Sequence, residues 1–196
     1  MPVSNFRIQI LSVSDLAEHI DKYAGKHLAS IRDPNRCRNE YNTIDRKGNT
    51  FGSMIVLKMS DVWLPEHERM GYQLPREEQI KELLNWSKGK HDFVVHCTAG
   101  VSRSSAIAYV LACCFMPPSE AISVLDPYKH DPNDLIVQLG AKLLGNPEVL
   151  SELKRFGKIA KIASTGGILI SPPKSHDLES PPALMPFGSG AIFPSR

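Results

Sequence analysis

The sequence contains few of the residues that mark specialised classes of protein. Its 196 residues include four cysteines and two tryptophans, and the formal net charge is only +2. So small a charge provides no strong field that would attract nucleic acid or a membrane surface. The four cysteines make no disulfide framework of the kind found in small secreted proteins; they are Cys37, Cys97, Cys113 and Cys114.

Long apolar runs and cofactor motifs are also missing. No stretch approaches the length of a membrane-spanning helix, and the first nine residues lack the charged and apolar regions of a signal peptide. The sequence has no CxxC, HExxH or Walker spacing, and Gly166-Gly167 is too sparse for a dinucleotide loop. We therefore expect no metal and no cofactor. Free thiols that must stay reduced favour a cytoplasmic location.

What the sequence does contain is an alternation of strand-like and helix-like patterns. Strands are predicted at residues 6–13, 27–31, 53–59 and 93–96. A helix capped by Ser14 is predicted at 15–23, and a second helix opens at Pro75. Parallel strands joined by helices predict an α/β fold with a mostly parallel central sheet and a ligand site at the strands' carboxyl ends.

The segments outside this alternation are of two kinds. Residues 33–50 are rich in Arg, Asn, Asp and Gly, which predicts an exposed loop or irregular excursion. After Pro118, three helical patterns predict a helical C-terminal half. Residues 164–196 are rich in Pro, Gly and Ser and hold no period, so we predict one domain over 1–163 and a flexible tail that either docks a proline-binding partner or has no role.

Residues 93–105 combine an apolar strand, a small-residue loop and the start of a helix. This order places loop N–H groups and a helix N-terminus around one point, which favours a bound anion. Arg103 can add a planar fork for two phosphate oxygens. Cys97, six positions earlier, would be a thiolate near neutral pH in such surroundings and a nucleophile aimed at phosphorus.

The run from His96 to Ser104, HCTAGVSRS, resembles the signature of the cysteine-dependent protein tyrosine phosphatases. Its portion from Ala99 to Ser104 is most similar to the dual-specificity branch. A looser resemblance covers residues 6–160. The resemblance implies a phosphoric monoester hydrolase that acts through a phosphocysteine intermediate and takes a phosphorylated protein or peptide as substrate.

The resemblance also implies roles for individual residues. The Ser104 hydroxyl would hydrogen-bond the thiolate and ease its departure, although the residue also suits a helix cap. His96 would support the loop, or would equally be an ordinary core histidine. The phosphate-binding loop would consist of Thr98, Ala99, Gly100, Val101, Ser102 and Arg103, with Gly100 allowing close approach to the phosphate.

The general acid is less obvious from the sequence. The family places an aspartate on the loop after the preceding strand, and Asp61 is the first carboxylate there, so the resemblance implies that Asp61 is the general acid. The order around it differs from the Trp-Pro-Asp of the larger tyrosine phosphatases. Glu66 and Glu68 on the same loop are therefore alternatives, and Asp61 could instead cap a turn.

Three other functions remain open. An RNA 5′-phosphatase on the same scaffold usually carries His and Asn in this loop, where Ala99 and Ser102 stand here. A phosphoinositide phosphatase would place lysines in the loop, which this sequence lacks. A non-enzymatic phosphate-binding module would have lost the cysteine or the arginine. A basic group of residues between positions 32 and 47 could contact RNA, although the small net charge makes nucleic acid an unexpected partner. This basic group comprises Arg32, Arg36, Arg38, Arg46 and Lys47.

Overall fold

A computed structural model of the chain describes residues 6–34 and 39–164. The predicted tail lies outside the described residues from position 165 onward, as do Arg36, Cys37 and Arg38 of the 33–50 segment. No helix in the described part of the chain has both the length and the apolar character needed to cross a bilayer.

The described residues contain a four-stranded, all-parallel sheet, which confirms the predicted α/β class. The strand order is β1-β4-β2-β3. β4 therefore lies between β1 and β2, and the carboxyl ends of all strands meet at one edge. The strands are β1 (Arg7–Ser12), β2 (His27–Arg32), β3 (Ser53–Lys58) and β4 (Asp92–Cys97).

Helices cover the sheet and make up most of the second half of the described chain, as predicted. Those before the last strand are α1 (Val13–Glu18), α2 (Asn39–Arg46), α3 (Glu66–Arg69) and α4 (Glu77–Ser87). Those after it are α5 (Arg103–Ala112), α6 (Pro118–Ala121), α7 (Asp134–Leu144) and α8 (Glu148–Ser164). Single 3-10 turns lie at Ile20–Tyr23, Gly48–Thr50 and Ile122–Val124.

The helix that follows the cysteine loop is the centre of the core. Every residue of α5 is buried, and α5 packs against β4, β1 and α7. Gly140 of α7 lets the two helices approach closely, since a Cβ there would lie 2.7 Å or less from both γ-carbons of Val110. Burial on all sides fixes the helix, and with it the position of the loop at its N-terminus.

Three local predictions are wrong. Residues 39–46 form α2, because Tyr41 and Ile44 point into a second apolar cluster although the surrounding residues are polar. α1 is capped by Ser12, whose hydroxyl accepts from the Asp15 N–H at 3.0 Å, and not by Ser14. The helical pattern from Ser104 to Met116 predicts that Cys113 and Cys114 lie in the core, but α5 ends at Ala112 and Cys114 is exposed beyond the helix.

Candidate active site

The loop between β4 and α5 turns tightly against the end of β1. Gly100 has a φ of +72°, and a Cβ on it would lie 2.7 Å from the Leu11 carbonyl carbon and the Ser12 nitrogen. Glycine is therefore required by the backbone conformation and by contact with β1. The sequence predicts that Gly100 allows close approach to a phosphate; the contact that the structure shows is with the protein's own backbone.

Cys97 ends β4 and lies at the base of this loop, with 1% of its surface exposed. Its Sγ lies 3.1 Å from the Ser104 Oγ and accepts the Gly100 N–H at 3.3 Å. Burial acts to raise the pKa of the Cys97 thiol, but hydrogen bonds from Ser104, the charge of Arg103 and the Gly100 N–H outweigh it, and the pKa is lowered from its ordinary value. The site therefore favours a thiolate.

Arg103 is held in place by two hydrogen bonds from one end of its guanidinium. Its Nη1 donates to the Met59 carbonyl at 2.9 Å, and its Nη2 donates to the Thr98 Oγ1 at 3.2 Å. Its Nε is buried and has no hydrogen-bond partner among the described residues. A buried N–H without an acceptor is costly, so this edge of the guanidinium suits an anion that is bound in the loop.

Asp61 follows β3 and faces this edge of Arg103. Its Oδ1 accepts from the Ser102 Oγ at 2.8 Å and from the Asn133 Nδ2 at 3.1 Å. Its Oδ2 lies 3.8 Å from the Arg103 Nε. One carboxylate oxygen is thus anchored, and the other faces the place where an anion would meet the arginine.

The alternative acids lie elsewhere on the same loop. Glu66 begins α3 and is exposed. Glu68 pairs with Arg76, with 3.0 Å between its Oε1 and the Arg76 Nη2. Neither carboxylate makes a hydrogen bond or ion pair with Cys97 or Arg103 in the described part of the chain, so the geometry favours Asp61.

His96 is fully buried behind the nucleophile. Its Nε2 lies 2.7 Å from the Ser30 Oγ on β2, and its Nδ1 lies 3.4 Å from the Cys97 carbonyl oxygen. Burial is the main cause that lowers the pKa of His96 to about 4. The ring is therefore neutral near pH 7, and both nitrogens are engaged by the protein.

The remaining loop residues lie around the same point. Ala99 is exposed at the rim, whereas Thr98, Val101 and Ser102 are half-buried. Ser105 secures the loop from the first turn of α5, since its hydroxyl donates to the Val101 and Ser102 carbonyls.

Asn133 is the main site residue that the sequence analysis missed. Besides its bond to Asp61, its Nδ2 donates to the Val62 carbonyl at 3.3 Å, and its Oδ1 accepts the Ile136 N–H and so caps α7. Its own N–H donates to the Ser102 carbonyl at 3.3 Å. An asparagine before a helical pattern could have indicated the cap, but contacts with positions 71 and 72 residues earlier have no local pattern.

The described members of the basic group do not form a free cationic surface. Arg32 pairs with Asp45, and Lys47 pairs with Asp21 at 2.7 Å. Arg46 donates to the Asn42 carbonyl of its own helix. These partners reduce the attraction of the described basic residues for RNA.

Comparisons with known proteins give a structural likeness only. No family model matches the sequence, and no curated protein does. Among solved structures, Tk-PTP in its active form is 14% identical, with a TM-score of 0.46 over 79% of this chain and 95% of that one. The human tyrosine phosphatase-like serine/threonine/tyrosine-interacting protein is 18% identical, with a TM-score of 0.40 over 70% and 91%. PTPMT1 in complex with PI(5)P is 14% identical, with a TM-score of 0.41 over 80% and 94%.

These structures are of the tyrosine and dual-specificity phosphatase kind, which is the kind that the loop sequence resembles. Identities below 20% and TM-scores below 0.5 carry no conclusion about activity. We therefore base the function on the geometry of the site.

Proposed function

We propose that the chain is a phosphomonoester hydrolase of the protein tyrosine and dual-specificity phosphatase type that acts through a phosphocysteine intermediate. The observation that carries this proposal is the convergence of three groups. A buried thiol whose pKa is lowered, an arginine with an unpartnered buried Nε, and a carboxylate oxygen 3.8 Å from that Nε surround one point. This set provides a nucleophile, an anion-binding group and an acid for the leaving group.

Each residue then has a step to perform. The Cys97 thiolate attacks phosphorus, and the bond from phosphorus to the leaving oxygen breaks as the bond to sulfur forms. Asp61 gives its Oδ2 proton to the leaving oxygen, while Arg103 and the loop N–H groups stabilise the phosphoryl oxygens. In the second step Asp61 takes a proton from water, which attacks phosphorus, and the thiolate leaves with its charge stabilised by Ser104.

The substrate that we propose is a phosphorylated protein or peptide. The loop residues Thr98, Ala99, Val101 and Ser102 are uncharged, so the loop itself offers no cation besides Arg103 for the several phosphates of an inositol lipid. Arg32 and Lys47 are paired with aspartates, which leaves these two cations little attraction for the phosphates of RNA. The cytoplasm, where thiols stay reduced, is the location that we propose.

The test is a side-by-side assay of phosphate release from four substrates. These are a phosphotyrosine peptide, a phosphothreonine peptide, 5′-triphosphorylated RNA and a phosphoinositide. We expect turnover of at least one phosphopeptide, lost in Cys97→Ser and kept in Cys114→Ser, which changes an exposed cysteine outside the site. Equal turnover by wild type and Cys97→Ser would overturn the proposed function. Turnover of RNA or lipid alone would overturn only the proposed substrate.

A further inference from the structure

A chain of polar contacts extends behind the nucleophile, away from the substrate side. Arg32, at the end of β2, donates from its Nη1 to the Asp45 Oδ2 at 2.9 Å, and Nη2 contacts the other carboxylate oxygen. Its Nε donates to the Ser30 Oγ at 2.9 Å. Ser30 in turn contacts the His96 Nε2, and His96 faces the Cys97 carbonyl.

The chemistry of these groups fixes the direction of each hydrogen bond. Arginine can only donate, so the Ser30 oxygen accepts from Arg32. In the described part of the chain, the His96 Nε2 is the only acceptor within reach of the Ser30 hydroxyl proton. A hydroxyl that donates to Nε2 requires a lone pair there, so the neutral ring carries its proton on Nδ1. That proton faces the Cys97 carbonyl oxygen, an acceptor, so both contacts require the same tautomer.

The residues around Arg32 hold its guanidinium in the position that this chain of polar contacts requires. Its side chain is only 12% exposed, and its guanidinium lies 4.9 Å from the centre of the Tyr41 ring. Tyr41 also lies beside the His96 ring, with 6.3 Å between their centres. The charged groups that act on His96 are Arg32 from β2, Asp45 from α2 and Arg103 from α5. Burial is the main cause of the neutral ring; the two arginines act in the same direction by opposing a proton on His96, and Asp45 acts in the opposite direction.

We propose that Arg32 is a positioning residue that acts through Ser30 and His96 on Cys97. It directs the Ser30 proton to Nε2, which keeps the His96 proton on Nδ1 and orients the peptide that follows the nucleophile. Without Arg32, Ser30 is free to accept a proton from Nε2, and the hydrogen bond to the Cys97 carbonyl is lost. Arg32 itself touches neither the thiol nor the anion site, and its effect on turnover rests on the proposed function.

The test compares Arg32→Met with wild type in three measurements. Nitrogen-15 NMR of the histidine ring reports the tautomer of His96, the pH dependence of iodoacetamide alkylation reports the Cys97 thiol, and phosphopeptide hydrolysis reports kcat. We expect wild type to show the Nδ1–H form and Arg32→Met to populate the Nε2–H form. We also expect kcat to fall roughly tenfold, the ratio that the net free energy of one hydrogen bond can produce.

In the described part of the chain, Ser30→Ala leaves no acceptor at Nε2, so the Cys97 carbonyl still favours the Nδ1–H form. We therefore expect this variant to keep the wild-type tautomer and to lose less kcat than Arg32→Met. Lys26→Met is the matched control, because it removes a half-buried cation that pairs with Asp92 at the opposite end of β4 at 2.9 Å. It should leave the His96 tautomer and kcat unchanged.

An unchanged tautomer in Arg32→Met would overturn the inference, as would a changed tautomer with unchanged kcat. An equal effect of Lys26→Met would show a general loss of stability and would also overturn it. If wild type released no phosphate from any of the four substrates, the proposed function would fail, but the tautomer measurement would still decide the role of Arg32.

Discussion

At the scale of single residues, burial and specific hydrogen-bond donors act in opposite directions on the pKa of Cys97. Burial alone would keep Cys97 protonated, as it does for Cys113 outside the site, where burial is the main cause that raises the thiol's pKa to about 12. The difference between these two cysteines is the set of donors around Cys97. Ser104, Gly100 and Arg103 belong to the loop and the helix start, so the reactivity of the thiol follows from the loop's conformation.

Arg103→Lys should lose most of the activity although it keeps the positive charge. The Met59 carbonyl and Thr98 hold the guanidinium so that Nε and Nη2, which share one edge, can contact two oxygens of an anion. A lysine offers a point charge without this fork. We expect kcat to fall about 10²- to 10³-fold, as for other charge-stabilising donors. Steady-state kinetics on a phosphopeptide measure this, and turnover near wild type would contradict the proposed anion site.

Asp61→Asn should affect substrates according to their leaving groups. General acid catalysis contributes about 10²- to 10⁴-fold, so a phosphotyrosine peptide should be hydrolysed much more slowly. An aryl phosphate whose leaving group is already a stable anion should be affected much less. Equal losses on both substrates would indicate that Asp61 only holds the loop, and the same assay on Glu66→Gln and Glu68→Gln would then show whether either is the acid.

At the scale of secondary structure elements, the junction of β4 and α5 depends on one glycine. Gly100→Ala places a Cβ against the Leu11 carbonyl and forces a side chain into a positive φ. Gly89→Ala is a matched control, because Gly89 has a φ of +73° but nothing within 4 Å of the added Cβ. We expect the control to lose about 1 kcal/mol of unfolding free energy, and Gly100→Ala to lose about 1–3 kcal/mol more.

Urea unfolding measures this difference, and phosphate binding by calorimetry reports on the loop itself. Gly100→Ala should bind phosphate more weakly than both wild type and Gly89→Ala. Equal stability and binding in the two variants would show that the contact with β1 does not shape the loop.

Elements with strong local patterns could be predicted from the sequence, and those stabilised by a few distant contacts could not. β4 and α5 are continuous apolar segments, so their approximate extents and the loop between them followed directly. α2 presents only Tyr41 and Ile44 to the core among polar neighbours, and we predicted an irregular segment there. Asp61 could be predicted as a site residue from its position after β3. The role of Asn133 depends on contacts with Asp61 and Val62, which no spacing in the sequence reveals.

At the scale of the whole molecule, burying His96 makes stability depend on pH. The pKa of His96 is lowered by burial from 6.5 to about 4 in the folded chain. Between these values the unfolded chain binds a proton at this ring and the folded chain does not, so the free energy of unfolding falls as the pH falls. The slope from this one residue is about 1.4 kcal/mol per pH unit, or about 3 kcal/mol across the interval.

Urea unfolding from pH 7 to pH 4 measures this slope in wild type and His96→Asn. The variant should show a shallower slope, with a remainder from His27 and His130, whose pKa values burial also lowers. His91→Asn, which changes an exposed histidine, should keep the wild-type slope. A slope in His96→Asn equal to that of wild type would contradict the neutral, buried state of His96.

The covalent intermediate is the most direct test of the proposed chemistry, because its formation during turnover requires Cys97 to act as the nucleophile. Rapid acid quench of wild type during hydrolysis of a phosphotyrosine peptide, followed by mass spectrometry of proteolytic fragments, should find one phosphoryl group on the fragment that contains Cys97. Cys97→Ser should show none. Turnover in the absence of any phosphorylated Cys97 fragment, with Cys97→Ser still active, would contradict the account.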